Sequence, residues 1–233
     1  MMTQRYIQRH SFQTRLTHGI VAVSCVWLMI SGLFVFVPAL STVFGAGFTQ
    51  FMRISHRVVG AIFIITPLIS AIAAPAGVGR LGKKYFTKWT PEDFEFLKKF
   101  VPYMLGPKRV HMPDQDEVKS GQRFADGMLI LGGLAMAVSG LVLWLGTSVF
   151  QAPSEILGIM RVVHDIFFLV LVIFVIAHAY LGAGVFQPYR GLYRLMFGNG
   201  QVRESDALYH WGFWAREEIE EGKNIVIKEV SEK

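Results

Sequence analysis

The sequence has little cysteine and little charge. Cys25 is the single cysteine among 233 residues, which excludes an intramolecular disulfide and any iron–sulfur cluster held by cysteines of this chain. Charged residues make up only 17% of the chain, whereas hydrophobic residues make up 52% and the mean hydropathy is +0.41. Because an ordinary soluble domain carries more charge, this composition predicts a protein that crosses a membrane several times.

Four apolar stretches are each long enough to cross a hydrocarbon core that is about 30 Å thick. The first stretch is longer than the apolar core of a signal peptide, which has about 7 to 15 residues, so we interpret it as a span. We predict an all-α membrane protein, a bundle of four transmembrane helices in a single domain over residues 1–233. The predicted spans are residues 16–37, 56–79, 125–148 and 160–187.

The positive charges predict the orientation in the membrane. Arg5, Arg9 and Arg15 precede the first span, and ten Lys or Arg residues lie in the loop 80–123, whereas the other connections contain few. The positive-inside rule therefore places both termini, this loop and the tail 188–233 in the cytoplasm. The net charge of +6 needs no nucleic acid as a partner, because Lys and Arg gather in a few connecting segments, as expected of cytoplasmic loops, and membrane lipid is the expected surrounding partner.

The middle loop and the tail carry weaker signals. Thr90 followed by Pro91 and acidic residues predicts the start of a short amphipathic helix on the membrane surface or against a partner. The aromatic residues between 209 and 214 suggest docking to the membrane interface or to a partner, and the last dozen residues are expected to be disordered. No internal repeat is evident.

Histidines lie at the edges of the apolar stretches. His164 and His178 are fourteen residues apart, so on a helix both rings leave the same face, roughly 21 Å apart along the axis. His18 lies at the start of the first span and His56 at the start of the second. In the predicted orientation His56 and His164 share the outer level of the membrane, and His18 and His178 share the inner level.

Each pair suits a haem, because imidazole is a good ligand for haem iron. Two axial imidazoles fill the coordination sphere, so such a group carries electrons and leaves no site for oxygen or substrate. Any one histidine could instead be a hydrogen-bonded residue of a membrane helix, but four histidines paired by level favour ligation. The remaining three are interpreted as solvated or interfacial, and these are His10, His111 and His210.

An arginine lies three residues before three of the four histidines, at Arg15, Arg53 and Arg161. This spacing puts each arginine on the face of its histidine, one helical turn closer to water, where haem propionates would emerge. Snorkelling to lipid headgroups is the alternative explanation. Glycines on the spans would let a flat macrocycle or a neighbouring helix approach the backbone, and these are Gly32, Gly60, Gly140 and Gly182.

With these features the chain resembles, over nearly its whole length, the cytochrome b (gamma) subunit of respiratory formate dehydrogenases. The four histidines and their spacing are the specific part of the likeness. It also includes the segment from Arg9 to His18, the pair His56 and Arg57, the loop end at 121–123 and the stretch 177–182.

The resemblance implies two haem b groups, with His56 and His164 on the outer one and His18 and His178 on the inner one. It also implies an iron–sulfur subunit and a catalytic dehydrogenase subunit as partners in a bacterial plasma membrane. The electron acceptor would be menaquinone or another quinone.

The resemblance further implies a quinone pocket near the cytoplasmic face, with Gly121 and Gln122 in its wall. Lys119 stands where the family has an asparagine. Two alternatives remain open at this point. The cytochrome b subunit of a nickel–iron hydrogenase or thiosulfate reductase would use the same ligands with a different electron donor, and a haem-free membrane anchor would leave the histidines as buried polar residues.

Overall fold

The structure, a computed structural model, describes residues 2–182, 184 and 189–230 and is mostly helical. In chain order the helices are α1 (Phe12–Phe36), α2 (Ala39–Phe44), α3 (Ala46–Ala73), α4 (Pro75–Phe86), α5 (Pro91–Leu105), α6 (Ser120–Ser148), α7 (Ser154–Gly182), α8 (Arg194–Phe197), α9 (Glu204–His210) and α10 (Gly212–Glu221). The strands are β1 (Met2–Gln8), β2 (Gln201–Arg203) and β3 (Ile225–Val230).

Among the described residues, four helices are long and apolar enough to cross a membrane, namely α1, α3, α6 and α7. At most 11% of the most apolar window of any of them is buried, as expected of helices whose side chains face lipid. The predicted helical membrane bundle is confirmed. Each helix begins before its predicted span, because hydropathy marks only the apolar part of a helix. The predicted end of the fourth span, at residues 183 and 185–187, lies outside the described residues.

The amphipathic helix predicted in the middle loop is α5, and it begins at the predicted residue. The Thr90 hydroxyl accepts a hydrogen bond from the Asp93 amide at 3.4 Å, and the Asp93 carboxylate accepts one from the Thr90 amide at 2.8 Å. This reciprocal capping box, with Pro91 in the first turn, satisfies backbone donors that a helix start otherwise leaves unpaired. The loop also contains α4, which the sequence analysis did not predict.

The chain divides into two compact units. The helical unit comprises Thr17–Ala74 and Met128–Ala177, and so contains most of the four long helices. The terminal unit comprises Met1–Leu16, Pro75–Gly127 and His178–Lys233.

The terminal unit contains an antiparallel sheet in the order β2-β1-β3, in which Ile7 on the central strand faces Val202 and Ile225. Its core also takes up the indole rings of Trp211 and Trp214, which are 4% and 5% exposed. The prediction of an exposed aromatic docking patch in the tail is therefore wrong for these two residues. The further members of the core are Leu195, Ala207 and Ala215.

The predicted disorder of the last dozen residues is also wrong for residues 225–230, which form β3 along β1. Its partner strand lies at the other end of the sequence, so the sequence of the charged tail itself does not predict the pairing. Residues 231–233 lie outside the described residues.

Candidate functional site

Two of the four predicted ligands meet within the helical unit. His56 projects from α3 and His164 from α7, and their ring centroids are 6.4 Å apart with the ring planes inclined by 70°. Metal–imidazole bonds are about 2.0–2.1 Å long for zinc, and bonds of roughly that length on both sides of one iron would separate the ring centres by roughly 6 Å. The separation of the two imidazoles is therefore one that would suit two ligands of a single iron.

A cavity of about 650 Å³ adjoins these rings and has both histidines in its wall. This volume falls within the range of about 300–1,000 Å³ that is usual for sites of small molecules and cofactors. Three of the four glycines proposed to make room for a macrocycle line it, namely Gly32, Gly60 and Gly140. The fourth, Gly182, lies in the terminal unit, and a Cβ atom there would meet nothing within 4 Å.

Two of the three arginines assigned to propionates share this cavity. Arg53 and Arg161 line it together with the histidines that follow them by three residues. Arg15 belongs to the terminal unit, where its guanidinium donates to the carbonyl of Gly198 and lies 5.8 Å from the Phe12 ring. The structure thus supplies two cationic side chains beside the histidine pair, and it gives Arg15 another partner.

Each histidine of the pair is hydrogen-bonded to a serine, which the sequence analysis missed. The Oγ atom of Ser31 on α1 lies 2.9 Å from Nδ1 of His56. The Oγ atom of Ser139 on α6 lies 2.8 Å from Nδ1 of His164. Both serines are almost completely buried, with exposures of 0% and 1%. Because Nδ1 is engaged in each ring, Nε2 is the nitrogen left for a metal.

His178 lies in the terminal unit beside Asp126, a residue that the sequence analysis did not single out. Nδ1 of His178 is 3.3 Å from the Oδ1 atom of Asp126. The other carboxylate oxygen accepts hydrogen bonds from the Tyr85 hydroxyl at 2.8 Å and from the Gln122 amide at 3.0 Å. Burial, followed by the charge of Asp126, raises the pKa of the Tyr85 phenol far above its usual value. Tyr85 therefore remains a hydrogen-bond donor to this carboxylate.

His18 lies on α1 in the helical unit, so it belongs to a different unit from His178. The inner pairing of these two histidines stays a prediction. A hydrogen bond from a histidine to a carboxylate is common where the opposite ring nitrogen binds a metal, and the contact with Asp126 is consistent with such a role for His178.

The three residues assigned to a quinone pocket lie at the start of α6 and face different neighbours. Gln122 donates to Asp126, as described above. A Cβ atom on Gly121 would lie 3.4 Å from the ring of Phe96, so this glycine lets that ring lie close to the backbone. Lys119 is 7% exposed, and its Nζ atom is 3.2 Å from Nδ1 of His210.

The amino group of Lys119 is buried in an aromatic environment. Its Nζ atom lies 4.5 Å from the ring centre of Tyr189 and 4.9 Å from that of Trp211. Burial, and then the nearby charge of Arg9, lowers the pKa of Lys119 well below its usual value. Burial also lowers the pKa of Arg9 to about 10. His210 was interpreted as solvated or interfacial, and it is not solvated, because it is 8% exposed and its ring lies against Lys119.

The chain was compared with models of known protein families. The model of a family described as prokaryotic cytochrome b561 matches residues 9–199, which is most of the chain and includes all four predicted ligands. No curated protein matches the chain.

Proposed function

The chain belongs to the prokaryotic cytochrome b561 family, and from this membership we propose that it is the di-haem cytochrome b subunit of a respiratory dehydrogenase. The family makes it a multi-pass protein of the bacterial inner membrane that transfers electrons with haem b. The proposal adds two haems, a separate iron–sulfur subunit as electron donor, and menaquinone or another quinone as acceptor.

The observation that carries the proposal is the cavity in the helical unit. It combines two histidines whose separation would suit two ligands of one iron with two arginines, Arg53 and Arg161, that could pair with propionates. Haem b supplies reversible one-electron chemistry when it is bound between such ligands. His56 and His164 would be the two protein ligands of its iron, and with both in place the metal would have no position for oxygen or a substrate.

His18 and His178 are proposed as the ligands of the second haem. The contact of His178 with Asp126 supports this assignment, because ligating histidines usually donate their other ring N–H to a carboxylate, carbonyl or water. The quinone is proposed to bind near the start of α6, where Lys119, Gly121 and Gln122 lie close in sequence.

The proposed donor complex is a formate dehydrogenase, whose gamma subunit the chain resembles. The cytochrome b subunit of a nickel–iron hydrogenase or a thiosulfate reductase would have the same ligand set, so the donor has to be identified by its protein. Purification of the native complex in mild detergent, followed by identification of the co-purifying subunits, distinguishes these donors.

The haem assignment is tested by the purified chain and its single histidine variants. We expect about two haems b per chain from the pyridine haemochromogen spectrum, and about one after His56→Ala or His164→Ala. His111→Ala is the matched control, because His111 is exposed and lies outside the spans. The proposal would be contradicted by a wild-type protein with only one haem per chain, or by a His164→Ala variant with the same haem content as the wild type.

A further inference from the structure

The histidine pair of the helical unit is built by two helix pairs of the same design. Ser31, Gly32, Arg53 and His56 on α1 and α3 have counterparts 108 residues later on α6 and α7. The counterparts are Ser139, Gly140, Arg161 and His164. This repeat is difficult to recognise in the sequence, because only a few positions at fixed spacing are kept and most of the apolar residues between them differ.

The hydrogen atoms of the two serine hydroxyls can be placed from their neighbours. Ser31 Oγ lies 2.8 Å from the carbonyl oxygen of Trp27, and Ser139 Oγ lies 2.6 Å from that of Ala135. A carbonyl oxygen only accepts, so each hydroxyl donates its hydrogen to the preceding turn of its own helix. The remaining lone pairs of each Oγ are then available to accept a hydrogen bond from a histidine.

This arrangement determines which ring nitrogen carries the proton. Because each serine accepts, Nδ1 of His56 and Nδ1 of His164 are the donors, and both rings are in the tautomer with a hydrogen on Nδ1. The lone pair then lies on Nε2, which is the form of imidazole that binds a metal.

The glycine that follows each serine lies next to the histidine ring. A Cβ atom on Gly32 would lie 3.4 Å from Cε1 of His56, and one on Gly140 would lie 3.3 Å from Cε1 of His164. Each ring therefore lies directly against the backbone of the neighbouring helix, beside the serine that holds it.

We propose that Ser31 and Ser139 are positioning residues, which fix the tautomer and orientation of His56 and His164 so that Nε2 is presented to one iron. This inference rests on the proposed ligation of haem by these two histidines. A hydrogen-bond acceptor on the distal nitrogen also makes the imidazole a more basic ligand, which favours ferric over ferrous iron. Loss of such partners typically lowers metal affinity about 10- to 100-fold.

The test uses the purified full-length chain and the variants Ser31→Ala, Ser139→Ala and the double variant. The haem of this site is first assigned as the one lost in His164→Ala. Redox titration followed optically, and the ferric low-spin EPR signal, then report on the ligand field of that haem. Thr49→Ala is the matched control, because Thr49 is 3% exposed and its hydroxyl donates to the carbonyl oxygen of Gly45, the N-cap residue of its own helix.

We expect each serine variant to raise the midpoint potential of the assigned haem and to shift its EPR signal, with the larger change in the double variant. A tenfold weakening confined to the ferric state corresponds to about 59 mV for one electron. Loss of that haem alone, with the other haem at its wild-type potential, would equally support the proposal and show that the variant is folded.

Serine variants with the potentials and EPR signals of Thr49→Ala would overturn the positioning role. Such variants would still contain two haems, so the proposed function would stand. A wild-type chain without haem would instead overturn the proposed function and the positioning role together.

Discussion

Replacement of Asp126 by Asn tests whether the contact with His178 tunes a haem. Asparagine keeps the size of the side chain but removes the negative charge opposite Nδ1 of His178. It also changes the hydrogen bonds with Tyr85 and Gln122, which both donate to the carboxylate in the wild type. If His178 ligates the inner haem as proposed, its imidazole donates less electron density to the iron in this variant, and the midpoint potential of the inner haem rises.

The size of the rise is limited by the strength of one hydrogen bond. A hydrogen bond to a charged group contributes about 1.5–3 kcal/mol. A tenfold change in an equilibrium is about 1.36 kcal/mol and about 59 mV for one electron, so the whole bond would be equivalent to about 65–130 mV. Because both iron states feel part of this interaction, we expect a rise of some tens of millivolts, with about 130 mV as the ceiling.

The assay is an optical redox titration of the purified chain, in which the inner haem is the one lost in His178→Ala. Tyr85→Phe provides a change of the opposite sign, because loss of the phenol donor leaves the Asp126 carboxylate a stronger acceptor for His178 and lowers the potential. Asp116→Asn is the control for removal of an exposed negative charge. Equal potentials in wild type and Asp126→Asn, or a rise in Tyr85→Phe, would refute the reasoning.

Three further changes test the packing of both units. Gly140→Leu should displace the ring of His164 and cause the loss of one haem. Gly127→Leu on the same helix should leave the haem content unchanged, because a Cβ atom there would meet nothing within 4 Å. The haem content of the two purified variants tests this prediction. Lys119 releases its proton at lower pH when folded, so wild-type stability should rise with pH between its lowered pKa and about 10.5. Lys119→Met should abolish that rise and increase the free energy of unfolding at pH 7 by about 1–3 kcal/mol. Denaturation midpoints equal to those of the wild type would contradict this prediction. Trp214→Ala should lower the free energy of unfolding by about 3–5 kcal/mol and make the tail sensitive to proteolysis. Phe213→Ala should have neither effect, because the ring of Phe213 is half-exposed.

The helical part of the fold could be predicted because its signals are local. Long apolar stretches identify the four spans, and Thr90, Pro91 and Asp93 define the start of α5 within four residues. The sheet could not be predicted, because β1 pairs with strands about two hundred residues away and β2 has only three residues. Trp211 and Trp214 were misinterpreted for the same reason, since their burial depends on that distant strand.

The candidate site shows a similar division. His56 and His164 could be related by the orientation of the spans, and the structure places their rings together. Ser31 and Ser139 carry no signal individually, because a serine in a membrane helix usually bonds only to its own backbone. A comparison of the sequence with itself at an offset of 108 residues would have shown that each serine is repeated together with its histidine.

The two kinds of histidine partner have different consequences for electron transfer. His56 and His164 donate to neutral hydroxyls, whereas His178 faces a carboxylate, so identical ligands would give haems of unequal potential. On the proposed ligation by His178, the Asp126 carboxylate would lower the potential of the inner haem, whereas the ten Lys or Arg residues of the loop 80–123 would raise it. We therefore expect Asp126 to offset the positive charge of the loop. Without it, the inner haem would hold its electron too firmly to reduce a quinone readily.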